Sequence, residues 1–159
     1  MQARVYSSHM RIASLRQLVL ALVGFGVAGL WVELLLLRHA ESASQLIPHV
    51  ALGIGLLATA AVFFRPTRGA LRFFQVVMLV FLIAGALGIY LHYRGNVEFA
   101  VERDPSLSGV KLVWKSLRGA TPALAPGALA QLGLLGLIFT YRHPVLSDRE
   151  HAELEQVDE

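Results

Sequence analysis

Three polar side chains lie inside or at the ends of long apolar segments, and their chemical types could bind a ligand or a proton. Glu33 lies in the first apolar segment, His49 begins the second and His92 ends the third. Each has a glycine four residues away on the same helical face: Gly29, Gly53 and Gly88. Because glycine lets neighbouring helices approach closely, we expect these three side chains to meet at one end of a helix bundle.

Two loop residues are expected at the same level, His39 and Glu98. Imidazole and carboxylate ligands suit a divalent transition metal, and a pair of histidines could ligate a haem iron. The alternatives are a structural hydrogen-bonded cluster that closes the bundle and a proton or quinone site, since histidine titrates near neutral pH. The chain contains no cysteine, which excludes thiol catalysis, Cys-ligated zinc and iron–sulfur clusters.

The apolar segments that must position these residues are long enough to cross a membrane. Hydrophobic residues make up 55% of the 159-residue chain and charged residues only 16%, compared with about 25% in soluble domains. A spanning helix needs about 20 mostly apolar residues. Four segments qualify, and they predict an all-α membrane protein, a four-transmembrane-helix up-down bundle: 17–37, 46–64, 71–91 and 121–141.

The basic residues predict an orientation for this bundle. Arg65, Arg68 and Arg72 lie in one short connection without an acidic residue, and such loops face the cytoplasm. We therefore expect a cytoplasmic N-terminal segment (1–16), a transmembrane domain (17–141) and a cytoplasmic acidic tail (142–159), in a bacterial inner membrane. The basic residues flank apolar segments and form no single patch, which argues against a nucleic-acid partner.

The outer loop, residues 94–120, has two patterns. Apolar residues alternate with polar ones from Val97 to Val101, which predicts an extended piece with Glu98 and Glu102 on one face. Further along, helical spacing predicts a short amphipathic helix in the headgroup plane, either a cap over the bundle or a surface that binds lipid or a partner. Its apolar residues are Val110, Val113, Trp114 and Leu117, and its basic ones are Lys111, Lys115 and Arg118.

The fourth apolar segment begins with two prolines. Thr121 suits a helix N-cap and Pro122 the first helical position, but Pro126 has no N–H to donate to the Pro122 carbonyl. In an apolar environment this carbonyl needs water, a side chain or a ligand. Pro122 is therefore a candidate site-lining residue, as is Gln131 near the middle of the segment, although Gln131 could also bond to a neighbouring helix.

These observations leave two classes of function. No complete catalytic constellation is present in the sequence, which favours a small accessory or scaffold subunit of a larger membrane assembly. The alternative is a metal- or haem-binding membrane protein that uses the Glu/His cluster. The expected partners are the lipid bilayer and other membrane subunits or a second copy of the chain.

Overall fold

The computed structural model describes the backbone of residues 2–38, 43–119 and 121–147, and the side chains of 13–38, 45–119 and 121–147. Over these ranges the chain is all-helical and has no strand. The predicted ligand His39 and the acidic residues from 148 onward lie outside the described residues. The helices are α1 (Gln2–Leu36), α2 (Ala43–Phe64), α3 (Arg68–Arg103), α4 (Gly109–Leu117) and α5 (Gly127–Thr140).

Three of these helices are long and apolar enough to cross a membrane: Ala13–Leu36 within α1, Gln45–Phe64 within α2, and α3. This indicates a membrane protein. The fourth apolar helix, α5, has only 14 residues, so at about 1.5 Å per residue it is about 21 Å long, shorter than the hydrocarbon core of about 30 Å.

The four apolar helices form a ring. Helix α1 contacts α2 and α5, and α3 contacts the same two helices. Within the described ranges the diagonal pairs, α1 with α3 and α2 with α5, are not in contact, and α4 contacts α3 alone. The ring encloses a core of apolar side chains that includes Val23, Leu52, Phe74, Met78 and Phe81.

Helices α3 and α5 approach each other most closely at glycines. A Cβ atom on Gly85 would lie 2.5 Å from the backbone nitrogen of Ala130. One on Gly133 would lie 2.5 Å from the carbonyl oxygen of Met78 and 2.6 Å from the backbone nitrogen of Leu82. Because these neighbours are backbone atoms, no side-chain rotation could relieve the overlap. The two helices therefore depend on glycine at both positions.

Helix α3 does not end where the third apolar segment ends. It continues to Arg103, so the predicted extended piece from Val97 to Val101 is wrong. Two features with helical spacing explain the difference. Asn96 and Ala100 are four residues apart and are buried on one face. Arg94 forms an ion pair with Glu98, one turn away, at 2.9 Å. The alternation of apolar and polar residues in this stretch is therefore also compatible with a helix that buries one face, that of Asn96 and Ala100, and leaves its other sides more exposed.

Helix α5 starts later than Thr121 and Pro122 predict. It begins at Gly127, after Pro126, and residues 121–126 form turns. The carbonyl of Pro122 accepts from the backbone N–H of Ala125 (3.2 Å), and that of Leu124 accepts from Gly127 (2.9 Å). The irregular backbone thus satisfies these groups internally, as an apolar surrounding requires.

Arginine side chains tie the chain together at one end of the ring. Arg16 at the start of the apolar part of α1 donates to the carbonyls of Phe139 (3.0 Å) and Arg142 (2.9 Å). Arg68 at the start of α3 donates to the carbonyl of Val145 (2.7 Å). The start of the apolar part of α1 and the start of α3 therefore lie beside the end of α5. We call this the inner end of the bundle, and the end that carries His49 and His92 the outer end.

His143 lies at the inner end and gives the protein a predicted pH dependence. Burial, with a smaller effect from the Arg16 charge, lowers the pKa of His143 from its usual 6.5. As pH falls below about 6.5, the unfolded chain gains a proton before the folded one, so the free energy of unfolding should decrease. We expect the decrease between about pH 7 and about pH 5 to be smaller in His143→Phe, which keeps a ring against Phe139.

Chemical denaturation in detergent at several pH values would measure this slope for both proteins. The difference between the two slopes isolates His143 from the other histidines. If the free energy of unfolding depended on pH equally in both proteins, His143 would bind its proton equally well in the folded and unfolded states.

Candidate functional site at the outer end of the bundle

His49 is bound to a tryptophan of the neighbouring helix. The indole Nε1–H of Trp31 in α1 donates to Nδ1 of His49 in α2 at 3.1 Å. The same indole lies over Gly53, where a Cβ atom would be 3.5 Å from the ring. His49 and Gly53, which were predicted to share one face of α2, therefore both contact α1 through Trp31.

His92 is bound to the turn that precedes α5. Its Nδ1 lies 3.1 Å from the carbonyl oxygen of Pro122. Because a carbonyl only accepts, His92 donates from Nδ1. The structure therefore brings two of the predicted site residues together, and His92 is a second partner of the Pro122 carbonyl, which also accepts from the N–H of Ala125. Gly88, one turn earlier, permits this approach, since a Cβ there would lie 2.7 Å from Cβ of Pro126.

Glu33 does not join the two histidines. Its side chain is exposed, and a Cβ atom on Gly29, one turn earlier, would have nothing within 4 Å. The glycine face of α1 packs only further inward, where a Cβ on Gly26 would overlap Leu132 of α5. Glu98, the predicted loop ligand, instead pairs with Arg94, and both side chains are exposed.

The structure therefore does not bring Glu33 and Glu98 to the two histidines. No three His, Asp or Glu side chains in the part of the chain that the structure describes are arranged so that they could hold a metal ion. His49 and His92 have partners on different elements, Trp31 of α1 and Pro122 before α5. Their observed role is to connect helices.

The outer end instead contains a buried asparagine. Asn96 is 4% exposed, and its amide Nδ2 donates to the carbonyls of Ser116 (2.9 Å) and Thr121 (2.6 Å). Its Oδ1 accepts from the backbone N–H of Thr121 at 3.2 Å. A Cβ atom on Gly119 would overlap this amide. We call these four residues the Asn96 latch, because they fasten the end of α4 and the start of the next segment to α3.

Sequence reasoning missed Asn96. The available signal was the helical spacing of Gly85, Gly88 and His92, which Asn96 continues four residues later. Read as one face of one helix, these four positions predict that α3 extends past residue 94 and that Asn96 faces the same neighbours as His92.

The latch holds one side of α4 against α3, and the apolar and basic sides of α4 are both exposed. Leu112 is half-buried and Ser116 fully buried, on the side toward α3. The apolar side is open: Val110 is 84% exposed and Trp114 61%. These apolar side chains are therefore not buried against the described part of the bundle. Val113, Leu117 and the basic residues Lys111, Lys115 and Arg118 are exposed as well.

Two further polar residues of the apolar helices, Gln75 and Gln131, differ from each other. Gln75 donates to the hydroxyl of Thr140 at 3.2 Å, across the contact between α3 and α5. Gln131 is exposed, two residues before the tightly packed Gly133 and therefore on the other face of α5. It does not line a site inside the ring.

An open groove between α2 and α3 is apolar throughout. Its volume is about 550 Å³, and it offers no polar side chain to orient a polar ligand. Its lining includes Leu46, Val50, Ile54, Val76 and Phe81.

Comparisons with protein-family models, curated proteins and solved structures find no match to this chain. The class of protein is therefore defined by the fold alone: over the described residues the chain is all-helical, with three helices that could cross a membrane and a short latched helix at the outer end.

Proposed function

We propose that this chain is a non-enzymatic accessory subunit of a larger membrane assembly and presents α4 to a protein partner at its outer face. The observation that carries the proposal is the exposed apolar side of α4, which the Asn96 latch holds in a fixed position. This side consists of Val110, Val113, Trp114 and Leu117.

Helix α3 is long enough to hold α4 beyond the membrane. Asn96 follows Arg72 by 24 residues, which is about 36 Å of helix against a hydrocarbon core of about 30 Å. Helix α4 is fastened at Asn96 and contacts no other helix in the described ranges. The apolar side of α4 is therefore displaced from the apolar core of the ring. Burial in the ring cannot explain why α4 has apolar residues on this side.

The chemistry of α4 identifies the kind of partner that it fits. Contiguous exposed apolar patches mark interaction sites, and tryptophan is among the residues that contribute most to binding energy at protein interfaces. Lys111, Lys115 and Arg118 lie beside the apolar residues on the same short helix. The complementary surface is an apolar pocket with an acidic rim.

The proposed topology has four membrane-embedded segments, in a bacterial inner membrane with both termini in the cytoplasm. In the fourth segment, the turns of residues 121–126 complete the crossing that the 14 residues of α5 leave short. The positive-inside rule supports the orientation, because Arg16, Arg68 and Arg142 lie together at the inner end. Arg65 and Arg72 belong to the adjoining connection.

A single cysteine at Val113 tests the proposal, because the chain has none of its own. In native membranes we expect Val113→Cys to react at least about tenfold more slowly with a hydrophilic maleimide than Lys111→Cys, the control, because a partner covers the apolar side. After purification and reconstitution into liposomes of the same lipids, both cysteines should react at similar rates. Continued protection of Val113→Cys in those liposomes would show that lipid covers α4, and would contradict the partner proposal.

A further inference from the structure

Gln131 differs from the other polar side chains of the apolar helices. Gln75 bonds to Thr140 (3.2 Å), and Thr59 donates to the carbonyl of Gly55 at 2.7 Å. Gln131 forms no hydrogen bond to any residue that the structure describes, and its side chain is exposed. Its amide, with two N–H donors and a carbonyl acceptor, therefore points away from the ring.

The depth of Gln131 makes this exposure costly. In the proposed topology the inner boundary of the membrane lies near Tyr141, where the guanidinium of Arg16 bonds to the carbonyls of Phe139 and Arg142. Gln131 precedes Tyr141 by ten residues, or about 15 Å of helix. This is half of a hydrocarbon core of about 30 Å. Neither water nor lipid headgroups can satisfy an amide at that depth.

We propose that the exposed face of α5 is the contact surface of a homodimer, in which Gln131 of one copy bonds to Gln131 of the other. Two copies with the same orientation are related by a two-fold axis along the membrane normal, so Gln131 meets its counterpart at equal depth. The amide is self-complementary: each Nε2–H donates to the other's Oε1. This reciprocity favours a second copy over an unrelated helix, which would need a polar residue at the matching depth.

The surroundings of Gln131 fit such a contact. Ala128, Leu134 and Ile138 are exposed and recur at helical spacing around Gln131, and the small side chain of Ala128 permits close approach. The dimer rests on the proposed four-segment topology but not on a partner for α4, because α4 and α5 expose different faces.

Cysteine cross-linking in native membranes tests the dimer. Leu134→Cys and Leu57→Cys are matched positions: both are leucines seven residues before Tyr141 and Phe64 respectively. Both side chains face outward, with exposures of 51% and 71%. Under mild oxidation we expect Leu134→Cys to form a disulfide-linked dimer of this chain and Leu57→Cys to remain monomeric.

Adding Gln131→Leu should then weaken dimerisation about tenfold, as expected for two interhelical hydrogen bonds. Energy transfer between labelled copies, at increasing dilution in lipid, measures the dissociation constant. Gln131 is exposed and makes no internal bond, so at a dilution in detergent where both proteins are monomeric the variant should unfold at an unchanged temperature, which separates lost dimerisation from lost folding. Equal cross-linking at both cysteines, a Gln131→Leu dimer of unchanged affinity, or cross-links only to a different protein would each overturn the proposal.

Discussion

Gly133→Ala is expected to lower the free energy of unfolding by about 1–3 kcal/mol, the usual effect of inserting a methyl group into a closely packed contact. The added Cβ would lie 2.5 Å from the Met78 carbonyl oxygen and 2.6 Å from the Leu82 nitrogen. Since both atoms belong to the backbone of α3, the two helices would have to move apart. That movement would also loosen the bond between Gln75 and Thr140, which crosses the same contact.

Gly29→Ala is the matched control, because it adds the same methyl group to an apolar helix where a Cβ meets nothing within 4 Å. Equilibrium unfolding in mixed micelles should show a clear loss for Gly133→Ala and none for Gly29→Ala. Equal stabilities of the two variants would mean that α3 and α5 do not pack through Gly133.

Asn96→Ala is expected to release α4 from α3. The substitution removes three hydrogen bonds: both backbone groups of Thr121 lose their side-chain partner, and the Ser116 carbonyl still accepts from the N–H of Gly119 but loses the Asn96 amide. At about 1 kcal/mol for each lost bond, the segment should be destabilised by about 3 kcal/mol. The loss should be local, because α4 contacts no other helix in the described ranges.

Hydrogen exchange resolved along the sequence measures this effect. Amides of α4 should exchange roughly a hundredfold faster in Asn96→Ala, whereas those in the apolar part of α3 should change little. Arg94→Ala is the control, since it removes an exposed ion pair with Glu98 on the same stretch of α3 and such pairs contribute little. Unchanged protection of α4 in Asn96→Ala would show that the latch does not hold it.

Much of the fold could be predicted from composition and spacing. Long apolar runs identify α1, α2 and the apolar part of α3, and Arg65-Pro66 marks the end of α2 at Phe64. The stretch from Val97 to Val101 could not be assigned in the same way, because so short an alternation fits both a strand and a helix with two exposed faces. What decides between them is tertiary: the burial of Asn96 against α4.

The outer-end residues show a second limit of sequence reasoning. Helical spacing correctly placed His92 on the face of Gly88, and the missing N–H of Pro126 correctly indicated that the Pro122 carbonyl needs a partner. The spacing around Glu33 is equally good, yet Glu33 is exposed. A pattern within one helix shows which residues share a face. It does not show how far along that face the neighbouring helix stays in contact, and at Gly29, one turn before Glu33, no described neighbour is in contact.

We propose that α4 lies outside the membrane with its apolar side covered by a protein. The most direct measurement is the labelling of Lys111→Cys and Val113→Cys by an impermeant maleimide on intact spheroplasts. We predict that Lys111→Cys is labelled from outside and that Val113→Cys is protected. Labelling of Lys111→Cys only after lysis would place α4 in the cytoplasm, and equal labelling of both cysteines would show an uncovered helix; either result would contradict the claim.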